Sequence, residues 1–368
     1  KKKMIKIVTL KDILLIIGIL FIIIKLVKKL RKIKQPIEQS IHSNKQKKNN
    51  PLQIDTIIIE GYKTDVMREK KKKKEDNKNI DTLFIIIPGN PGLIDFYEET
   101  GKSIIEAYKT KNNNNNTNKK KVVALRGISF IGHSYRREET LYNVKEQIEH
   151  KAACFRYIKK NIEAKEIVIL GHSIGCYMIQ EAIKKEPFDG KKTTLVYAFP
   201  TITHIGKTPN AKKIHMRLIT TPLIRDTIVY GLMMIIKYTT TRAIKQTLMK
   251  LHGVTSVFKP HAWKLLENPQ VIRNALYLAA DEFKTLGDIT TESIEQVYKR
   301  YRVIMFDTET DEWCPPQLAK TTFKTISKST KTLQHTRITL NSCKHAFVLY
   351  KEQINLVSAH LSDQLLYK

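Results

Sequence analysis

A chain of 368 residues with 42% hydrophobic content is long enough for one large α/β domain with its own core, and it excludes wholesale disorder. Its 65 Lys+Arg against 35 Asp+Glu leave a formal net charge of +30, which points to an anionic partner. No RNA-binding, zinc-finger or helix-turn-helix signature accompanies that charge, so a phospholipid surface is favoured over nucleic acid.

Much of the charge lies in the runs Lys1–Lys3, Lys25–Lys34 and Lys70–Lys74, and such blocks ordinarily do no more than solvate a loop. The four cysteines, Cys154, Cys176, Cys314 and Cys343, form no C-x-x-C pair and stand at no metal-ligand spacing. They read as thiols of a reducing compartment, and no metal site is expected.

The first element is the unbroken apolar run Ile13–Ile24, ILLIIGILFIII, which as a helix reaches about 18 Å against a hydrocarbon core of about 30 Å. Flanking apolar residues and snorkelling lysines extend it. Lys28, Lys29, Arg31, Lys32 and Lys34 follow where a cleaved leader would carry small residues. Residues 1–35 are therefore expected to be a retained membrane or lipid-surface anchor, with the rest of the chain on the cytosolic side. A cleaved signal is the alternative. Residues 36–55 read as a linker and 56–368 as the folded α/β domain.

Within that domain Thr56–Glu60 and Thr82–Ile87 read as strands, being rich in β-branched residues. The lysine-rich stretch 68–79 between them is a solvated loop. Asp95–Lys109 has helical apolar spacing and runs into the low-complexity, asparagine-rich loop 111–121. Next come a strand at Val122–Leu125, a helix at Leu141–Ile162, a strand at Glu166–Leu170, a helix at Ile174–Lys185 and a strand at Thr194–Phe199. Arg302–Phe306 and Thr336–Leu340 are the last strands. The alternation predicts an α/β fold, a mostly parallel central sheet with helices on both faces. The stretch 209–291 breaks the alternation with apolar-rich helical sequence and reads as a cap over the carboxyl edge of the sheet. Within it Ile228–Ile236 (IVYGLMMII) is a candidate hydrophobic mouth.

Gly171-His172-Ser173-Ile174-Gly175 is G-x-S-x-G between a predicted strand and a predicted helix. A nucleophile on so sharp a turn needs small neighbours, and the helix that follows offers free amides where an oxyanion forms. Ser173 is the expected nucleophile. Its base is expected after the last strand, at His345. The acid that orients the base should follow Arg302–Phe306, and Asp311 is the choice, with Asp307 and Glu309 as alternatives. The loop Pro88-Gly89-Asn90-Pro91-Gly92 follows an early strand, where such sites carry a second oxyanion donor. Pro91 has no N–H, so the expected donors are the amides of Asn90 and Ile174. Asp281, Glu282 and Asp288, in the insertion, are expected to be solvated.

These segments in order resemble the lipid droplet-associated hydrolases, over nearly all of Thr82–Leu361. The resemblance is carried by the PGNPG loop with Phe96-Tyr97 close behind, by Leu141-x5-Gln147-Ile148-Glu149-His150-Lys151, and by the elbow at Gly171–Gly175. Phe199-Pro200-Thr201-Ile202, Thr208-Pro209-Asn210, Asp311-x-Trp313-Cys314-Pro315 and His345-Ala346-Phe347 complete it. It implies an α/β-hydrolase fold and a triad of Ser173, Asp311 and His345. It also implies action on ester lipids, sterol esters or acylglycerols, at lipid droplets and the endoplasmic reticulum, with no cofactor.

The chain departs from the family at Phe130 and Ile131, which leaves His133 without an assigned role, and in its lysine and asparagine expansions. Two rivals stand beside this reading: a hydrolase-like scaffold on lipid droplets with little turnover, and a soluble esterase, thioesterase or peptidase with a cleaved leader.

Overall fold

The computed structural model describes residues 50–70, 79–114, 121–134, 140–213, 220–239 and 268–366, with single positions in between. The expected anchor over 1–35 and most of the expected linker lie outside the described residues. Among the described residues, no helix is long and apolar enough to cross a membrane.

Eight strands form one sheet. In chain order they are β1 (Leu52–Ile59), β2 (Tyr62–Glu69), β3 (Ile80–Ile87), β4 (Val123–Ile128), β5 (Ala164–His172), β6 (Thr193–Ala198), β7 (Arg302–Asp307) and β8 (Thr336–Thr339). Their order across the sheet is β1-β2-β4-β3-β5-β6-β7-β8. Pairing is antiparallel for β1 with β2 and for β2 with β4, and parallel from β4 to β8. The mostly parallel sheet expected from the alternation is the one observed.

Three elements differ from expectation; one is the helix expected over Asp95–Lys109, which runs from Glu98 to Asn114 and so into the stretch 111–121 expected to be a loop. The strand expected at Thr56–Glu60 begins at Leu52, inside the expected linker, and it turns back through β2, which carried no expectation. Glu60 and Gly61 both have positive φ, the geometry a two-residue hairpin with right-handed strand twist requires. The sequence of β2, YKTDVMRE, mixes charged and apolar residues without clean alternation, so its pattern carries little strand signal.

Both faces of the sheet are covered, as parallel strands require. One set of side chains, including Leu83, Ile85, Ile169, Leu195 and Val303, packs under helices α2 (Val144–Asn161) and α3 (Ile174–Lys185). The alternate set, Phe84, Ile86, Val168, Leu170, Val196 and Ile304, packs under α1 (Glu98–Asn114) and α7 (Lys351–Leu366). Helix α2 starts with a capping box. Asn143 accepts from the Glu146 amide at 2.9 Å, and Glu146 accepts from the Asn143 amide at 2.7 Å.

Between β6 and β7 the chain leaves the sheet for α4 (Pro222–Thr239) and α5 (Pro269–Thr285). The stretch Ile228–Ile236 lies on α4, but most of its side chains, like residues 240–260, fall outside the described residues. Helix α6 (Pro316–Lys328) then links β7 to β8.

Candidate active site

The site lies at the carboxyl ends of the parallel strands, where β3, β5, β7 and β8 each hand over to a loop. Ser173 sits between the end of β5 and the start of α3 with φ of 53°, a left-handed conformation that a residue with a Cβ seldom adopts. Small neighbours make the turn possible. A Cβ on Gly175 would stand 2.6 Å from the carbonyl oxygen of Ile87, and one on Gly171 would stand 2.7 Å from the Cys176 amide nitrogen.

His345 lies on the loop after β8, and its Nε2 is 2.9 Å from Ser173 Oγ. Its Nδ1 is 2.7 Å from Asp311 Oδ2, on the loop after β7. An ionised carboxylate only accepts, so Nδ1 carries the proton and bare Nε2 faces the serine hydroxyl. Asp311 Oδ1 accepts from the Trp313 and Cys314 amides at 2.8 and 3.0 Å. Burial alone would raise the Asp311 pKa. The hydrogen bond and charge of His345, with the two amides, outweigh burial and hold it below the usual carboxylate range. Thr201 Oγ1 also lies 3.4 Å from Ser173 Oγ.

The structure thus brings Ser173, His345 and Asp311 into one hydrogen-bonded line, and it gives the two alternative acids other places. Asp307 is buried and accepts from Arg337 Nε at 2.9 Å and Thr339 Oγ1 at 2.9 Å, tying β7 to β8. Glu309 is exposed.

The Pro88–Gly92 loop runs against the elbow, since a Cβ on Gly89 would stand 2.9 Å from Ser173 Cβ. Asn90 turns its side-chain amide toward the insertion, donating to the Ala275 carbonyl at 2.8 Å and to Glu282 Oε1 at 3.3 Å. Ile174 opens α3, so its amide has no acceptor within the helix.

Glu282 corrects an expectation. Its place in the insertion predicts a solvated side chain, yet it is 3% exposed. Burial, with the neighbouring Asp281 adding to it, pushes its pKa up to about 8 against the pull of the Asn90 hydrogen bond. The reason is its place on the face of α5 turned toward the Pro88–Gly92 loop. Asp281 and Asp288 lie nearer solvent, the first accepting from the Val144 amide at 2.9 Å and the second from His204 at 2.7 Å. His133, left without a role, is buried beneath the same loop with Nδ1 donating to the Pro91 carbonyl at 2.6 Å. Burial lowers its pKa to about 4, so the ring is neutral.

Two further residues near the site carried no expectation of a role. Tyr97 and His172 are buried beside Ser173 and His345, and the signal for His172 was positional. As the last residue of β5 it alternates away from the α3 face, into the cluster with Phe199 and Phe347.

A mostly parallel sheet covered on both faces, with a strained serine between strand and helix and an acid and a histidine on later strand-end loops, defines an α/β-hydrolase fold. The haloalkane dehalogenase DatA of Agrobacterium tumefaciens C58 shares it at a TM-score of 0.59 and 9% identity, over 86% of this chain and 97% of that one. The family model described as lipid-droplet associated hydrolase matches residues 81–348, and the chain belongs to that family. The chicken lipid droplet-associated hydrolase (Gallus gallus) is 26% identical, over 86% of this chain and 96% of its own. The human one is 24% identical, over 87% of this chain and 98% of its own.

Proposed function

We propose that this hydrolase cleaves ester bonds of lipids, sterol esters or acylglycerols, at the surface of lipid droplets and the endoplasmic reticulum, through an acyl-enzyme on Ser173. The observation that carries the reading is the hydrogen-bonded line from Asp311 through His345 to Ser173. Asp311 keeps the His345 proton on Nδ1, so Nε2 takes the Ser173 proton as Oγ attacks the ester carbonyl. The carbonyl electron pair moves onto oxygen, where the amides of Asn90 and Ile174 receive it. His345 then gives its Nε2 proton to the leaving alcohol. Water, deprotonated by the same nitrogen, releases the fatty acid by the reverse path.

The low pKa of Asp311 supports this assignment, because an orienting acid must stay ionised while the imidazolium forms. Support for the lipid surface comes from the family and from the net charge of +30. Leu223 and Tyr230 on α4 add to it, being 68% and 53% exposed. The basic, apolar segment over 1–35 is proposed as the anchor, with the hydrolase domain in the cytosol.

The test is labelling by a fluorophosphonate probe together with turnover of cholesteryl ester and triacylglycerol emulsions. The full chain should label and hydrolyse, and Ser173→Ala should do neither while unfolding at the same temperature. Labelling of Ser173→Ala would place the nucleophile elsewhere. Labelling of the wild type without turnover of any ester would favour the scaffold.

A further inference from the structure

One buried line of hydrogen bonds outside the three proposed catalytic side chains touches both halves of the site. The Gly89 amide donates to Tyr97 Oη at 2.7 Å, Oη lies 2.6 Å from His172 Nδ1, and His172 Nε2 lies 2.8 Å from the His345 carbonyl oxygen. Tyr97 and His172 are 3% and 5% exposed, and the His172 ring meets those of Phe347 and Phe199 edge-on at 5.2 and 6.5 Å.

The two end groups, with the neutrality of the buried ring, decide the direction of every bond. An amide only donates, so Tyr97 Oη accepts from Gly89 and turns its own hydrogen to His172. A carbonyl only accepts, so the His172 proton sits on Nε2. Nδ1 is then bare, as the Tyr97 hydrogen requires. The ring must also be neutral, and burial, with the nearby His345, lowers its pKa to about 3. Packing alone would ask for none of these polar atoms.

We propose that Tyr97 and His172 are positioning residues that fasten the oxyanion loop, through Gly89, to the backbone of the base, His345. The loop and the base come from opposite parts of the chain and must hold one geometry as charge moves from serine to ester oxygen. The effect on rate rests on the serine-hydrolase reading. The direction of the line does not.

The experiment uses the full chain with Tyr97→Phe, His172→Asn and the double variant. Asparagine keeps an acceptor near the Nδ1 position and loses the reach to His345. Each single variant should lower kcat on a p-nitrophenyl ester, and the rate of fluorophosphonate labelling, by about 10- to 100-fold with KM within about threefold. The double variant should fall within about threefold of the weaker single, because a line broken once has little left to lose. Losses that multiply, or singles that match the wild type, overturn the proposal.

Nitrogen-15 NMR of the imidazoles supplies a readout that survives a variant that fails to fold, or a wild type that never labels. Only the latter sinks the function proposed above. The His172 signals, assigned by their absence in His172→Asn or by selective labelling, should report a neutral Nε2–H ring that does not titrate between about pH 5 and 9. A proton on Nδ1, or titration in that range, overturns the line whether or not the chain is an enzyme.

Discussion

Asp311 and Glu282 are both buried carboxyl groups, and their surroundings drive them in opposite directions. Asp311 meets one imidazole and two amides and stays ionised. Among the described residues Glu282 meets the neutral Asn90 amide, and its burial favours the protonated form. Asp311→Asn would preserve the shape of the site but offer His345 a mixed donor and acceptor, which no longer selects the Nδ1–H tautomer. A fall in kcat of about 10³- to 10⁴-fold at unchanged KM is expected from ester-hydrolysis kinetics.

For Glu282 the sign follows from linkage. Its folded pKa of about 8 lies above the unfolded value of about 4.3, so its contribution is fully present below the unfolded value and is lost as pH rises toward 8. Glu282→Gln keeps an acceptor for Asn90 and removes the titration. Urea unfolding should find the two proteins alike near pH 5 and the variant more stable above it, the gap widening by up to about 1.4 kcal/mol per pH unit. A gap that ignores pH would sink this account. The acid and base on strand-end loops were legible from the order of strands and residues. Glu282 was not, because burial depends on which way α5 turns.

At the scale of elements, the elbow works because α3 packs so closely on the end of β3 that Gly175 has backbone oxygens where a side chain would start. On an ordinary helix Gly→Ala gains about 1 kcal/mol. Here Gly175→Ala should do the reverse, lowering the unfolding temperature and slowing fluorophosphonate labelling at least about tenfold. The Ile87 and Pro88 carbonyls cannot turn away without moving the oxyanion loop. Unchanged stability in a thermal melt would mean the packing is looser than described. Strands β3, β5, β6 and β7 were readable because parallel strands inside a sheet covered on both faces are apolar runs bounded by turns. The hairpin partner β2 was missed because an antiparallel strand near the sheet edge tolerates Lys63, Asp65 and Arg68 among its apolar residues.

For the molecule as a whole, the charge is the property that reaches furthest. If the excess of lysine and arginine meets an anionic lipid surface, the full chain should co-sediment with phosphatidylserine vesicles at about 50 mM salt and be largely released at about 500 mM. Vesicles of neutral lipid should bind less and respond less to salt. Equal binding to both, at either salt, would leave the lysine runs as solvated loops and shift the attraction to apolar contact through α4 or the segment 1–35.

By itself the sequence determined the class of fold, the turn that carries Ser173 and the two loops that carry Asp311 and His345. Those features depend on local periodicity and turn chemistry, which a chain expresses over a few residues. Why Glu282 is buried and how Tyr97 and His172 come between the Pro88–Gly92 loop and His345 were decided only when the strands took their order. The order β3-β5-β6-β7-β8 carries the ends of β5 and β8 to one crevice and joins His172 to His345, 173 positions apart. No local pattern encodes a contact made by that ordering.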